Sequence, residues 1–424
     1  MLRQGQEGGQ LSFSLSPAFW SGFHRRFWGR RGTVLSAPAG VPLVSADHVF
    51  ARLVAASEHW GGADRSFVPE LFVEHAQALT DIDRFLPTVA DRSVAGWSAR
   101  VAAQLKGRTF GFVVDDYHVH DELIWRRLRQ FVRELYGVTG LPGEQAKATL
   151  FLGNYARTPF GLHRGRSDNF MFAVDGIKRI RAWPDAFFRD KPDLTNRLDY
   201  ERYNPESVVL EARPGDVIYW PASYWHIGED AGGPSIAISL ALFMDPQPGA
   251  DLAQTLEQEI ATRSPGGRPR RPRAAKGIAA GVQRDLRTLR AIAHGPSLAR
   301  ALAADRLNRV TGAGFIRVPP AAPARVLAAG DVVRGDPEFP LRWVTVGDEI
   351  VCSANGHAIA VPADPRMPGL LRRLTSSEPL RVGDLMARYS GTVRRGAVEF
   401  TASRREIRTL LERLLALRAI TVGP

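Results

Sequence analysis

GLHRGRSDNF, residues 161–170, places a histidine at the head of a β-type run and a glycine two positions later. A histidine followed two residues on by a carboxylate is half of a common iron site. Here the second position is Gly165, which has no side chain to offer. Three readings follow from that stretch alone: a damaged iron site, a coincidence, or an iron site that keeps a vacancy.

Working outward, the texture from about residue 147 is one of short β-branched and aromatic runs. KATLFLGNYA, NFMFAVDG, KRIRAWP, SVVLEARPGDVIYWPASYWHIGED and SIAISLALFM are punctuated by Gly and Pro. No helical crossovers separate them, so antiparallel pairing is expected, in a barrel or jelly roll of the cupin kind. His163 opens one strand, and His226 follows a second bend in PASYWH. Side chains alternate along strands, so two histidines on neighbouring barrel strands can point inward together. Two histidines and a carboxylate, with open positions, form the facial arrangement of non-haem Fe(II) oxygenases. A pair of distant histidines is by itself a weak signal.

The flanks read differently. PAFWSGFHRRFWGRRG (17–32) has the pattern of an amphipathic helix that starts after a proline and ends at glycine. GVPLVSADHVFARLVAASEHW (40–60) predicts a helix capped by Ser45 or Asp47, and HDELIWRRLRQFVRELYG (120–137) predicts another. Between them, Thr109–Asp115 is a short apolar strand. Residues 263–277, RSPGGRPRRPRAAKG, read as a linker, followed by a helical stretch. LRWVTVGDEIVCSANGHAIAV predicts a β-hairpin turning near Asn355-Gly356, and two or three amphipathic helices follow. The expected domains are residues 1–262 (catalytic core with N-terminal helices), 263–330 (linker and helical segment) and 331–424. The expected fold is a mostly β double-stranded β-helix of cupin or jelly-roll type with flanking α-helices, plus a C-terminal α+β winged-helix-like domain.

Composition sets outer bounds. The 424 residues suffice for two or three domains with real cores, and 44% hydrophobic with 24% charged is ordinary for a soluble globular protein. No apolar run is long enough for a membrane span, and the N-terminal stretch argues against a signal peptide. The single cysteine, Cys352, excludes an internal disulfide and fits a reducing cytoplasm; in its β-type run it reads as a small core residue. The net charge of +12 could steer the protein toward anionic partners, or be arginine scattered over solvated faces.

The pattern GLHRGRSDNFMFAVDGIKRIRAWP followed by PGDVIYWPASYWH resembles the JmjC and cupin-like Fe(II)/2-oxoglutarate oxygenases, the ribosomal oxygenases among them. In that family an H-x-D motif is followed by an N-F pair and a G-x-K-R turn. His163, Asn169-Phe170 and Gly176-Ile177-Lys178-Arg179 fall in the same register. The match covers residues 147–245 well and the outer segments loosely. The resemblance implies Fe(II), 2-oxoglutarate and O2 as cofactors, with His163 and His226 as metal ligands. It implies that Lys178 holds the distal carboxylate of 2-oxoglutarate through a charge-assisted hydrogen bond. Asn169 would contact the cosubstrate, orient a ligand or bond backbone. Thr158, five residues before His163, stands near a threonine that bonds the cosubstrate in the family. Tyr155 either lines the pocket or packs in the core.

The departure is Gly165 where the family has aspartate. His163-Arg164-Gly165 is similar to the H-x-G motif of Fe(II)/2-oxoglutarate halogenases, in which chloride takes the free position. That resemblance implies chlorination of an unactivated carbon, with Gly165 as the open halide or water position and Arg164 beside it in the catalytic set. Three rivals stay open: water in the vacancy of a hydroxylase, a carboxylate reaching in from Asp168 at the barrel rim, or a non-catalytic binding module.

Other constellations are weaker. His118 and His120 in DDYHVHDE lack an evident third zinc ligand and read as a solvated loop with Asp121 capping the next helix. The C-terminal helices have the apolar spacing of helices packed on a core, which argues against nucleic-acid reading. The family resemblance implies an amino-acid, peptide or carrier-bound small-molecule substrate and a homodimer through residues 280–306.

Overall fold

The computed structural model describes residues 13–60, 67–74, 76–77, 82–189, 191, 199–230, 233–245, 249–263 and 275–423. The chain divides into two compact units, Met1–Asp245 and Pro246–Pro424.

The first unit is built on strands β1 (Thr33–Leu35), β2 (Pro69–Val73), β3 (Ala76–Gln77), β4 (Phe110–Val114), β5 (Gln145–Gly153) and β6 (His163–Arg164). They are followed by β7 (Asp168–Asp175), β8 (Lys178–Trp183), β9 (Val208–Ala212), β10 (Val217–Trp220), β11 (Trp225–Asp230) and β12 (Ser235–Phe243). One sheet has the order β1-β10-β7-β12-β5-β4-β2-β3 and the other β6-β11-β8-β9. Every pairing within them is antiparallel. Side chains of β5, β7, β10 and β12 in the large sheet and of β6, β8 and β11 in the small one line a common cavity. Two antiparallel sheets enclosing a cavity are the double-stranded β-helix expected from the strand pattern.

Side-chain alternation sorts each strand into a cavity face and an outer face. On β5, Ala146, Ala148, Leu150 and Leu152 are buried outward while Thr149 and Phe151 line the cavity. On β7, Asn169 and Met171 face the cavity and Phe170 and Phe172 face a layer of helices. That layer includes α1 (Pro17–Arg26), α2 (Ala46–Ser57), α3 (Val94–Gln104) and α4 (Glu122–Arg133). Trp20 of α1 meets Phe131 of α4 edge-on at 5.0 Å, and both rings pack on Phe170. Each helix starts where its sequence supplies a cap: Ser16 before Pro17, Ser45, Ser93 and Asp121 each accept a backbone N–H of the first turn. The first helix is shorter than its apolar pattern, ending at Arg26.

His118 corrects the solvated-loop expectation. It lies in the 3-10 turn Tyr117–His120 and is fully buried, and the adjacent Tyr117 hydroxyl donates to the Val49 carbonyl of α2. Asp121 caps α4 as expected and also takes His48 at 2.7 Å.

In the second unit, helices Ala250–Arg263, Ala275–Ala293 and Pro296–Thr311 precede an antiparallel meander of Arg342–Val346, Glu349–Ala354 and His357–Pro362. Helix Ala250–Arg263, assigned by sequence to residues 1–262, contacts Pro296–Thr311 and so goes with this unit. The turn at Asn355-Gly356 has φ of 53° and 77°, the left-handed pair a tight hairpin turn requires. Helices Met367–Arg373, Val382–Tyr389 and Arg404–Ala416 pack Leu370, Leu385 and Leu411 into one apolar core with Cys352. Burial pushes the Cys352 thiol up to about 11, consistent with its reading as a core residue. Most of the predicted linker, residues 264–274, lies outside the described residues.

Candidate metal and cosubstrate site

β6 and β11 pair so that His163 and His226 are direct partners. Directly opposed residues of an antiparallel pair project from the same face. The two imidazoles accordingly meet with ring centroids 4.3 Å apart. Trp220 closes over the other side of His226 at 4.9 Å. Nδ1 of each histidine faces the backbone carbonyl two residues before it: Gly161 O at 2.9 Å and Tyr224 O at 3.3 Å. Donation from Nδ1 to those carbonyls leaves the Nε2 lone pairs available, the arrangement that orients a metal-binding histidine. Burial lowers the pKa of both rings, His226 the further because His163 adds to it. Neutral rings are what a cation needs.

Lys178 enters the same cavity from β8, with 1% of its surface exposed. Its ammonium donates to the Tyr155 hydroxyl at 2.6 Å and lies 4.4 Å from that ring's centroid. No salt bridge to Lys178 occurs among the described residues. A buried ammonium bonded to a hydroxyl, with no carboxylate partner among those residues, is suited to receive an anion. Thr158 also lines the cavity; its backbone N–H donates to the Gly228 carbonyl at 2.7 Å and its hydroxyl accepts from the Gly228 N–H at 3.2 Å. Asn169 lines it too, but its amide donates to the Ser167 carbonyl (2.7 Å), the backbone alternative among the roles it was given.

Gly165 borders the cavity, and its backbone would accept a side chain. A Cβ there would meet only Ser167, at 3.7 Å from Oγ and 3.9 Å from N.

Two expected residues stand elsewhere. Arg164 alternates with His163 and so points out of the cavity, where it pairs with Asp185. Asp168 is a buried strand residue rather than a rim residue. Being one position from Asn169, it faces the helix layer, where the Tyr219 hydroxyl donates to it at 2.6 Å. It cannot reach the histidine pair. Among the described residues no group of three His, Cys, Asp or Glu side chains is placed to hold a metal. Two imidazoles and one ammonium thus line the same cavity.

Sequence reading missed Thr149, Phe151, Phe160, Trp220 and Ser239, all of which line the cavity. The strand alternation that places Asn169 would have found Thr149, Phe151 and Ser239 once the cavity face of each strand was fixed. Phe160 lies in a loop that carries no such signal.

No family model matches the chain, and no curated protein matches it. Among solved structures it is similar to the X-ray structure of Escherichia coli ycfD, at 15% identity over 95% of this chain and 98% of that one, with a TM-score of 0.49. It is also similar to YcfD, a ribosomal oxygenase from Escherichia coli, in complex with cobalt and 2-oxoglutarate (15% identity, 96% of this chain and 98% of that one, TM-score 0.49). The complex of the same protein with cobalt and succinic acid aligns at 14% identity, 96% of this chain and 98% of that one, and a TM-score of 0.45.

Proposed function

We propose that the chain is an Fe(II)- and 2-oxoglutarate-dependent oxygenase that hydroxylates an unactivated C–H bond of an amino-acid, peptide or carrier-bound substrate. The observation that carries this reading is the convergence, in one cavity between two sheets, of a partly exposed and a buried imidazole, both with lowered pKa, and a buried ammonium that has no acidic partner among the described residues. His163 and His226 would hold the metal through Nε2. Lys178 would hold the far carboxylate of 2-oxoglutarate, with the Tyr155 hydroxyl sharing the contact. Fe(II) with 2-oxoglutarate supplies oxidation coupled to loss of CO2 and formation of succinate. The protein's part is to orient both groups and to keep the cavity walls dry, with Trp220, Met171 and Ile180 beside the ligands.

Hydroxylation is favoured over chlorination because the two arginines flanking Gly165 are each engaged by a carboxylate, Arg164 by Asp185 and Arg166 by Glu144, so neither is left to help the metal hold a halide. Arg164 faces outward and is neutralised by Asp185, and the groups nearest Gly165 are the neutral Ser167 hydroxyl and N–H. Water suits that environment. Chlorination is kept as a second reading on one observation, the open space at Gly165. Incubation with Fe(II), 2-oxoglutarate, air and chloride tests both. Succinate release with product gaining oxygen supports hydroxylation; product gaining chlorine supports the second reading. No 2-oxoglutarate turnover with any substrate would leave a binding module.

A further inference from the structure

Three phenylalanines meet beside the metal ligands. Phe160 lies edge-on to Phe72 at 5.1 Å and to Phe151 at 6.4 Å, and its centroid is 6.1 Å from that of His163. All three are partly exposed, although the first unit buries most of its large aromatics. Apolar surface left open around a cavity marks a place where apolar matter docks.

The charges around this wall agree. Among the described residues Lys178 is the only Lys, Arg, Asp or Glu lining the cavity, and no carboxylate lines it. The arginines nearest in sequence are committed outside it: Arg157 to Glu201, Arg164 to Asp185 and Arg166 to Glu144. A cationic substrate group would enter without a partner and lose its hydration. An anionic one would be drawn to Lys178 and compete with the cosubstrate.

We infer that the substrate group presented to the metal is uncharged and apolar, and that Phe160 is the residue that selects it. The inference rests on the oxygenase reading and deepens it by naming the substrate class. The aliphatic or aromatic group would lie against the Phe72–Phe160–Phe151 wall with its reacting carbon toward His163. Phe160 acts here through contact with substrate, not through the metal or Lys178.

The test uses N-acetyl amides of leucine, phenylalanine, arginine and glutamate as probes on the full chain. Binding is read by calorimetry on metal-free protein and by perturbation of the visible band formed anaerobically with Fe(II) and 2-oxoglutarate. Absence of the band before any probe is added counts against the oxygenase reading, separately from the probe preference. The expected result is binding of the leucine or phenylalanine probe, at least about tenfold tighter than the arginine and glutamate probes. Phe160→Ala should weaken the apolar probe by about tenfold at unchanged band intensity, and Phe160→Leu should restore most of it. Phe160→Asp should reverse the preference toward the arginine probe. Binding of a charged probe as tight as the neutral ones, or no response to either neutral probe, overturns the inference.

Discussion

Replacing Lys178 and Tyr155 together, as Lys178→Met with Tyr155→Phe, separates a ligand-binding role from a structural one. The ammonium is 1% exposed and its partner among the described residues is the Tyr155 hydroxyl at 2.6 Å. If it binds the cosubstrate carboxylate, its loss removes a buried charge-assisted hydrogen bond of about 1.5–3 kcal/mol. That corresponds to roughly 10- to 150-fold weaker 2-oxoglutarate binding. Stability should move the other way. Replacing both members of a buried polar pair by apolar groups of similar shape is near neutral or stabilising, and a desolvated charge is removed as well. A gain of about 1 kcal/mol would raise the melting temperature by about 2–4 °C for a unit of this size. The single change Lys178→Met leaves the Tyr155 hydroxyl buried without its partner, at a cost of about 1–3 kcal/mol, and should lie below the double variant. Calorimetric titration of 2-oxoglutarate into metal-loaded protein and thermal denaturation of metal-free protein provide the two readouts. A double variant that binds 2-oxoglutarate as tightly as the parent, or that melts well below it, refutes the reasoning.

Further outcomes follow from other residues. Gly165→Asp places a carboxylate where a Cβ meets nothing closer than 3.7 Å, so it should fold normally and bind metal at least about tenfold tighter, read by metal titration. Asp168→Asn tests the buried carboxyl, which burial raises from its ordinary 3.8 to about 6 despite donation from Tyr219 and the Ala222 backbone. The native state therefore binds the extra proton between those values, so stability is highest below about 4 and falls as pH rises to about 6. The difference, about 3 kcal/mol at 1.36 kcal/mol per pKa unit, should appear in denaturation curves of the parent between pH 7 and 4 and be absent in the variant. Asn355→Ala should destabilise the second unit by about 2 kcal/mol in chemical denaturation. The asparagine sits at φ 53° and donates to the Leu417 and Arg418 carbonyls.

Much of this was legible in the chain because it is local. Ser45 and Asp121 cap the helices that follow them, and Asn355-Gly356 turns the hairpin, since caps and turns depend on neighbouring residues. The β texture after residue 147 announced the barrel because its alternation survives in the sequence. What was not legible depends on pairing between distant strands. That His163 and His226 are direct partners is a matter of register between β6 and β11. Arg164 was misplaced by one step of strand parity and Asp168 by where β7 begins, neither of which a sequence can fix until the strand pairing is known. His118 is buried in a turn whose neighbours Tyr117 and Asp121 are tied to α2, and nothing in DDYHVHDE records those long-range bonds. The absence of a third protein ligand was visible at Gly165. The aromatic wall beside it was not, since Phe72, Phe151 and Phe160 come from three separate segments.

On the proposed function, His163 and His226 hold one metal that Lys178 helps to furnish with 2-oxoglutarate. The direct measurement is an anaerobic titration of the metal-free protein with Fe(II) and 2-oxoglutarate, followed through the visible charge-transfer band of their chelate. The expected result is a saturable band in the parent, no band in His163→Ala or His226→Ala, and a band needing roughly 10- to 150-fold more 2-oxoglutarate in Lys178→Met. A parent protein that forms no band, or histidine variants that form it unchanged, would contradict it.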